Sequence, residues 1–305
     1  MNEHVTGLKQ ALDYTRLYRD QVFVIKLGGE VVASGEALAE VAVQIALLES
    51  LSIRVVVVHG GGPQASDLCR RLGIEPEVVA GRRVTTPEVL EVAKMVYGGR
   101  INVDILAALR AHGVPAVGLS GIDAGLVTTR RRKPVTVRDD EGSERTVDFG
   151  EVGDVESVDP ALLELLLPRG YVPVVASLAA DSEGRPLNIN ADTLAEALAR
   201  ALGAKKLIYL TGAPGLLRDA ADPSTLVAFA GPAELEALLE AGAVKGGMRP
   251  KVEACIRAVA GGVRRTHIID GRAPDALLIE VFTGSGSGTM IVAEPERRDY
   301  VEERR

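Results

Sequence analysis

Tryptophan is absent from this chain, and four phenylalanines and six tyrosines are all the aromatic residues it has. A core for 305 residues must therefore be built from aliphatic side chains, and an apolar content of 47% supplies them. Cysteine is scarce too. Cys69 and Cys255 cannot make a disulfide framework, and each lies in an apolar helical pattern, where a small buried hydrophobe is expected. No run approaches the roughly 20 apolar residues of a membrane span. The opening MNEHVTGLKQ lacks the apolar core of a signal peptide, so the expected setting is cytoplasmic, with no membrane partner. Basic residues are in deficit: 35 Lys and Arg face 42 Asp and Glu, a formal net charge of -7. Nucleic acid, whose phosphates select basic surfaces, is thereby excluded as a default partner. An acidic substrate is not excluded, but its site then needs local cations.

What is present is a regular alternation. Val- and Ile-rich strand runs are expected over 22–27, 54–58, 114–119, 172–177, 206–210, 266–269 and 289–292. Helices are expected over 36–51, 63–72, 87–111, 193–202 and 250–259. The strand runs are almost wholly apolar, the pattern of strands covered on both faces. This predicts an α/β fold, a three-layer αβα sandwich around a largely parallel central sheet, with ligands at the carboxyl ends of strands. Residues 130–148 break the rhythm and read as an exposed hairpin turning near 140–142, its basic run a solvated face. Residues 8–18 read as an extra N-terminal helix, and the charged tail after 294 as frayed.

Three glycine-rich stretches carry the chemistry. Lys26 lies in the apolar run Phe23-Val24-Ile25-Lys26-Leu27 and is followed by Gly28 and Gly29. A lysine there is costly unless it meets an anion or a partner, and the glycines let a ligand approach the backbone. Alone, the motif reads equally as an edge lysine beside a turn. In His59-Gly60-Gly61-Gly62-Pro63, a buried strand runs into glycines and a helix opening with proline. Bare amides at a helix N-terminus form an anion site. His59 is expected to be structural, bonding the loop. No GxxxxGK[ST] occurs, so this is not a P-loop. In Lys245-Gly246-Gly247-Met248-Arg249-Pro250-Lys251, Pro250 is expected to start a helix. Cations at that positive end are unfavourable by roughly 0.3–1 kcal/mol each, which suggests an anion to meet them.

Two polar segments complete the set. In Asn188-Ile189-Asn190-Ala191-Asp192, Asp192 reads both as an N-cap and as a carboxylate holding the two lysines, with Asn188 a candidate for substrate. Arg83 of Gly81-Arg82-Arg83-Val84-Thr85 is a candidate fork for a carboxylate. Phosphoryl transfer to a carboxylate suits this inventory. The acceptor is already ionised at neutral pH and needs no general base, so positioning and charge stabilisation suffice. No Ser/His/Asp or metal-cluster arrangement is then required, and Mg²⁺ would arrive carried by the nucleotide.

Taken together, the stretches VIKLGG, VVHGGGPQ, GRRVT, LNINAD and GGMRPKVEACIRA resemble the amino acid kinase family, and within it the acetylglutamate kinases, over about 8–292. The resemblance implies ATP-dependent phosphorylation of the side-chain carboxylate of N-acetyl-L-glutamate to an acyl phosphate, in arginine biosynthesis. It implies that Lys26 and Lys251 stabilise the transition state, organised by Asp192. Gly28, Gly29, Gly61, Gly62, Arg83 and Asn188 would hold acetylglutamate. Gly212, Ala213, Pro214, Gly215, Leu216 and Leu217, with Ala243, Val244 and Lys245, would contact ATP. The implied organisation is an N-terminal helix in 1–20, a substrate lobe in 21–200 and a nucleotide lobe in 201–305.

A second resemblance concerns control. Arginine-inhibited members carry an extra N-terminal helix and a stretch like His267-Ile268-Ile269-Asp270-Gly271-Arg272 running through Glu280 to Gly288-Thr289-Met290. By similarity, Tyr14, His267, Glu280 and Gly288 would line an arginine site, and interlaced helices would build a hexamer. Family analogy adds a PII-like regulator as a partner. Three departures stand out: Gly212 where the family has Asp, Arg100-Ile101-Asn102-Val103 with a lysine lost, and Asp275 where His is common. Alternative readings are a catalytically weak arginine-sensing module, which Gly212 favours, and the kinase-like domain of an acetylglutamate synthase. Against the latter stands the expectation that nothing follows position 305 to form an acetyltransferase.

Overall fold

The computed structural model describes residues 12–293 except 80–81, 139–143, 220 and 285. Eight strands make the central sheet: β1 (Val22–Leu27), β2 (Arg54–His59), β3 (Ala116–Ser120), β4 (Val172–Ala176), β5 (Lys206–Thr211), β6 (Phe229–Ala230), β7 (Arg265–Asp270) and β8 (Thr289–Val292). Their order is β6-β8-β7-β5-β1-β2-β4-β3. Every neighbouring pair is parallel except β7 with β8. The expected largely parallel sheet is therefore present, with strands from both ends of the chain adjoining where β1 meets β5.

Helices flank it: α1 (12–18), α2 (Gly35–Ser50), α3 (Gly62–Arg71), α4 (Pro87–Ala93), α5 (Asn102–Ala111), α6 (Ala191–Ala201), α7 (Met248–Ala260) and α8 (Ala276–Phe282). Alternate strand residues face opposite sides, so an all-apolar strand feeds two cores. Phe23, Ile25, Leu27, Val55 and Val57 pack with Leu38, Val41, Ile45 and Leu48 of α2 and with Ile105 and Leu109 of α5. Val24, Val56, Val58, Leu207 and Tyr209 pack on the other face with Leu194 and Leu198 of α6 and Val252, Cys255 and Ala258 of α7. Both cysteines are buried within these cores. Lys26 shares the parity of Val24 and so points to the side of α6 and α7.

Several expectations needed revision. The helix expected over 87–111 is interrupted by a π-helix, Lys94–Ile101, between α4 and α5. Gly98-Gly99 lies inside it, where helix propensity is lowest. Both α6 and α7 begin two residues earlier than expected, at Ala191 and Met248. A second, four-stranded sheet, Pro186–Asn188, Leu178–Ala180, Val127–Arg131 and Gly153–Val158 in that order, went unforeseen, as did α8 and the helix Pro232–Glu240. Two of those strands have three residues each, too few for periodicity to register. The hairpin is present, Val135–Arg138 pairing antiparallel with Glu144–Val147, while its turn lies outside the described residues. The same holds for residues 8–11 of the N-terminal helix and for the tail from 294. Among the described residues no helix is long and apolar enough to cross a membrane.

Candidate functional site

The carboxyl ends of β1 and β2 open into a cleft of about 230 Å³ lined by Lys26, Gly29, Gly60, Gly61, Gly62, Tyr97, Asn188 and Asp192, among others. Side chains are crowded out at two glycines in or beside it. A Cβ at Gly61 would fall 2.3 Å from Ile101 Cδ1, and one at Gly28 would fall 2.7 Å from the Leu210 carbonyl oxygen. The second clash is with backbone, and at Gly61 a φ of +156° and the Tyr97 ring at 2.9 Å add to the first, so the bare backbone belongs to the packing as well as to any ligand.

Three charges converge beside the glycines. Asp192 Oδ1 lies 2.8 Å from Lys26 Nζ, and Asp192 Oδ2 accepts a 3.1 Å hydrogen bond from Lys251 Nζ. Lys26 and Asp192 are buried, at 7% and 5% exposure. Burial works against the charge on Asp192, but Lys26 and then Lys251 outweigh it and hold the carboxyl below its usual range. Burial also depresses Lys26, against the attraction of Asp192. One carboxylate for two ammonium groups leaves a cationic excess facing the cleft. Lys251 stands in the first turn of α7, where the helix field opposes a cation, and its ammonium also donates to Gly247 O at 3.3 Å.

The cap of α6 is Asn190, not Asp192. Asn190 Oδ1 accepts from the amides of Asp192 (2.8 Å) and Thr193 (3.0 Å), which leaves the Asp192 carboxylate free for the lysines. Asn188 donates through Nδ2 to Thr85 Oγ1 at 3.1 Å. His59 is structural, as expected. Its Nδ1–H donates to Gly60 O at 2.9 Å while Nε2 accepts from Asn102 Nδ2 at 3.1 Å, and burial pushes its pKa down to about 4. Arg83 is already engaged with the protein. Nη1 donates to Gly62 O (2.9 Å) and Ser66 Oγ (3.2 Å), and Nη2 to the Tyr97 hydroxyl (2.5 Å).

The segment proposed for the nucleotide leaves the carboxyl end of β5. Thr211 Oγ1 closes the turn by accepting from Ala213 N, and Leu216 N donates to Thr289 Oγ1. Gly212, Ala213 and Leu217 are partly exposed and Pro214 is exposed, while Gly215 packs against Leu226 and Thr289. Leu216 and Val244 are buried in the core, so they could meet a ligand only through backbone; Ala243 is partly exposed and Lys245 exposed. The departure at Gly212 has a physical counterpart. The Glu30 side chain lies across it, with Cγ 3.0 Å from where a Cβ would stand.

At the opposite end of the sheet, Tyr14 stacks on Tyr18 at 5.9 Å, and Lys206 Nζ lies over the Tyr18 ring at 5.3 Å. Lys206 donates to His267 Nε2 (3.1 Å), whose Nδ1–H donates to Glu280 Oε1 (2.5 Å). Burial and then Lys206 push His267 down to about 4, so it is neutral. Glu280 is held at about 2: burial opposes its charge, but His267 and the Ser287 amide prevail. Gly288 packs with no room for a side chain, 2.3 Å from Ile268 O. Thus Tyr14, His267 and Glu280 are linked, through Tyr18 and Lys206. Sequence reasoning missed Lys206, although a lysine opening the apolar run Lys206–Thr211 was a signal. It also missed Glu30 and Tyr97.

The comparisons agree with this geometry. The amino acid kinase family model matches residues 21–270. An acetylglutamate kinase of Myxococcus xanthus is 49% identical over 95% of this chain and 94% of its own. One of Methanothrix thermoacetophila is 45% identical over 93% and 96%. Among solved structures, N-acetylglutamate synthase of Neisseria gonorrhoeae with coenzyme A and N-acetyl-glutamate is 29% identical, with a TM-score of 0.80. The match covers 95% of this chain but 63% of that one, so the chain spans under two thirds of the synthase. The same synthase with coenzyme A and L-arginine gives a TM-score of 0.78 at 26% identity, over 95% of this chain and 65% of that one. The chain belongs to the amino acid kinase family, and within it to the acetylglutamate kinases.

Proposed function

We propose that the protein transfers the γ-phosphoryl group of ATP to the side-chain carboxylate of N-acetyl-L-glutamate, forming an acyl phosphate on the route to arginine. The observation that carries this reading is the sharing of Asp192 between Lys26 and Lys251 at the mouth of a glycine-walled cleft. The acceptor carboxylate needs no base. Lys26 has ammonium hydrogens to spare and meets the moving group from the substrate lobe (21–200); Lys251 meets it from the nucleotide lobe (201–305). Asp192 keeps the two cations close despite their repulsion, so the electrostatic clamp exists before substrate arrives. The amides of Gly61 and Gly62, with Gly29 and Asn188, supply neutral donors that position without adding charge, while the Gly28 amide is spent on Leu210 O at 2.7 Å and Gly28 can offer only close backbone approach. Mg²⁺ carried by ATP would neutralise phosphate charge. Glu30, whose side chain lies over Gly28 and Gly212, would be the carboxylate to share it, and one carboxylate plus phosphates suits that ion.

Feedback inhibition by arginine belongs to the same proposal. Support comes from the linkage of Tyr14 to Glu280 and from the arginine-bound synthase of the same fold. A hexamer built through the N-terminal helices, a PII-like regulator and a cytoplasmic setting are extensions of it by family analogy. Hydroxylamine trapping with N-acetylglutamate and MgATP tests the chemistry. Acyl hydroxamate is expected from the wild type, falling by about a hundredfold or more in Lys251→Ala. No product from the wild type, with arginine still bound in calorimetry, would replace the enzyme by an arginine-sensing module.

A further inference from the structure

His59 ends β2 and is fully enclosed. It shares the parity of Val55 and Val57 and so points to the side of α5. Asn102, the first residue of α5, meets it there and is itself buried. An asparagine among apolar side chains is costly unless its amide is satisfied. Asn102 Nδ2 donates to Val174 O of β4 at 3.0 Å and faces Leu119 O of β3 at 3.5 Å. Carbonyls only accept, so this end of the amide is its amino group. The same nitrogen lies 3.1 Å from His59 Nε2, which must then offer a lone pair. Gly118 of β3 makes room for the arrangement, since a Cβ there would stand 2.2 Å from Asn102 Oδ1. The proton of the neutral ring is thus left on Nδ1, which donates it to Gly60 O at 2.9 Å.

In a trans peptide the carbonyl of one residue and the N–H of the next point in opposite directions. With Gly60 O turned to the buried ring, the Gly61 N–H is turned away from it. Gly61 lines the cleft. It is a buried residue, and among the described residues its N–H has no acceptor. Buried amides are almost always paired, so one left over calls for an incoming acceptor. The loop also stands beside the lysine cluster: a Cβ at Gly60 would lie 3.2 Å from Ala191 Cβ, next to Asp192.

We propose that His59 is a positioning residue for phosphoryl transfer: held by Asn102, its ring pins the Gly60 carbonyl and so aims the Gly61 amide at the moving phosphoryl group. The proposal rests on the substrate reading above. It gives the histidine a part in the reaction although its ring touches neither substrate nor nucleotide.

His59→Asn and His59→Gln separate the two bonds of the ring. The asparagine amide nitrogen falls where Nδ1 stands and keeps a donor for Gly60 O. The longer glutamine amide reaches the place of Nε2 and keeps a partner for Asn102, but none for Gly60. Both variants should lose stability, so urea unfolding gives the folded fraction and rates are taken per folded molecule. In His59→Gln, kcat should fall about a hundredfold, as for a lost donor to developing charge; in His59→Asn it should stay within about threefold of wild type. Equal kcat values in the two variants, or the reverse order, overturn the proposal. Should either variant not fold, nitrogen NMR of isotope-labelled histidine in the unmutated enzyme decides, with the His59 signal assigned as the one that persists in His267→Gln. A proton on Nδ1 is expected, and a proton on Nε2 overturns the proposal. Failure of the substrate reading is separate, since it would show as no hydroxamate from wild-type protein.

Discussion

At the carboxyl end of β1, one carboxylate, Asp192, serves two ammonium groups. Toward the amino end of the neighbouring β5, one neutral ring, His267, stands between an ammonium, Lys206, and a carboxylate, Glu280. Both clusters use a buried lysine on a central strand. They differ in charge balance and in walls. The first pairs two ammonium groups with one carboxylate and opens between glycines; in the second one ammonium and one carboxylate flank the ring, with His267 fully enclosed and Tyr18 against Lys206. An unbalanced buried charge is tolerable only where an incoming anion completes it. A balanced cluster can instead be closed over and can join elements. This one ties α1 to β5, β7 and α8, so a ligand gripping it would act on four elements at once.

The sharpest way to break the contrast is Asp192→Asn. It leaves Lys26 and Lys251 facing each other without a counter-charge. A stability loss of roughly 3–5 kcal/mol is expected for an uncompensated buried pair, and kcat should fall by about a hundredfold or more. Urea unfolding and steady-state rates read the two effects. An asparagine variant as active as wild type would mean that Asp192 organises nothing.

Acid tests both regions together, because each holds one neutral buried histidine with its pKa down at about 4. In the unfolded chain each has its ordinary value of 6.5. The unfolded state therefore binds more protons below 6.5, and the stability these rings contribute is present above that value and lost as pH falls toward 4. By pH 5 the loss should be about 2 kcal/mol for each histidine. Urea midpoints at pH 7 and pH 5 measure it, and His267→Gln should remove about half of the change. A flat profile would show that neither ring is held neutral.

Glu280→Gln is the mildest probe. It keeps an acceptor for His267 and Ser287 but removes the charge that answers Lys206. A stability cost of roughly 1–3 kcal/mol is expected. Arginine titration should show the inhibition constant raised about tenfold or more, as for loss of a charged partner. If kcat fell here as steeply as in Asp192→Asn, the two ends would not be separable in function.

Much of this was legible along the chain. The apolar runs of β1, β2, β4 and β5 marked buried parallel strands, because a strand covered on both faces has no polar side to show. Lys26 within such a run, and the glycines after it, marked a site because a buried lysine and bare backbone both need an explanation. Asp192 was harder: its nearness to a helix start suggested a cap, and only the fold shows Asn190 taking that role. Arg83 was recognised as a fork, but its tie to Tyr97 depends on a π turn that helical periodicity cannot distinguish from an α turn.

The sequence by itself determined the long strands of the central sheet and most of its flanking helices, the parity that turns Lys26 toward α6 and α7, and the family, since all of these follow from local pattern and residue identity. The tertiary structure alone decided which charges share partners. Asp192 meets Lys251 only because α6 and α7 pack on the same face of the sheet, and Tyr97 meets Arg83 only because the π turn brings them onto Gly61 and Gly62. Such pairings depend on positions far apart in the chain, and the free energy that selects them is the burial of two shared cores, which no local stretch contains.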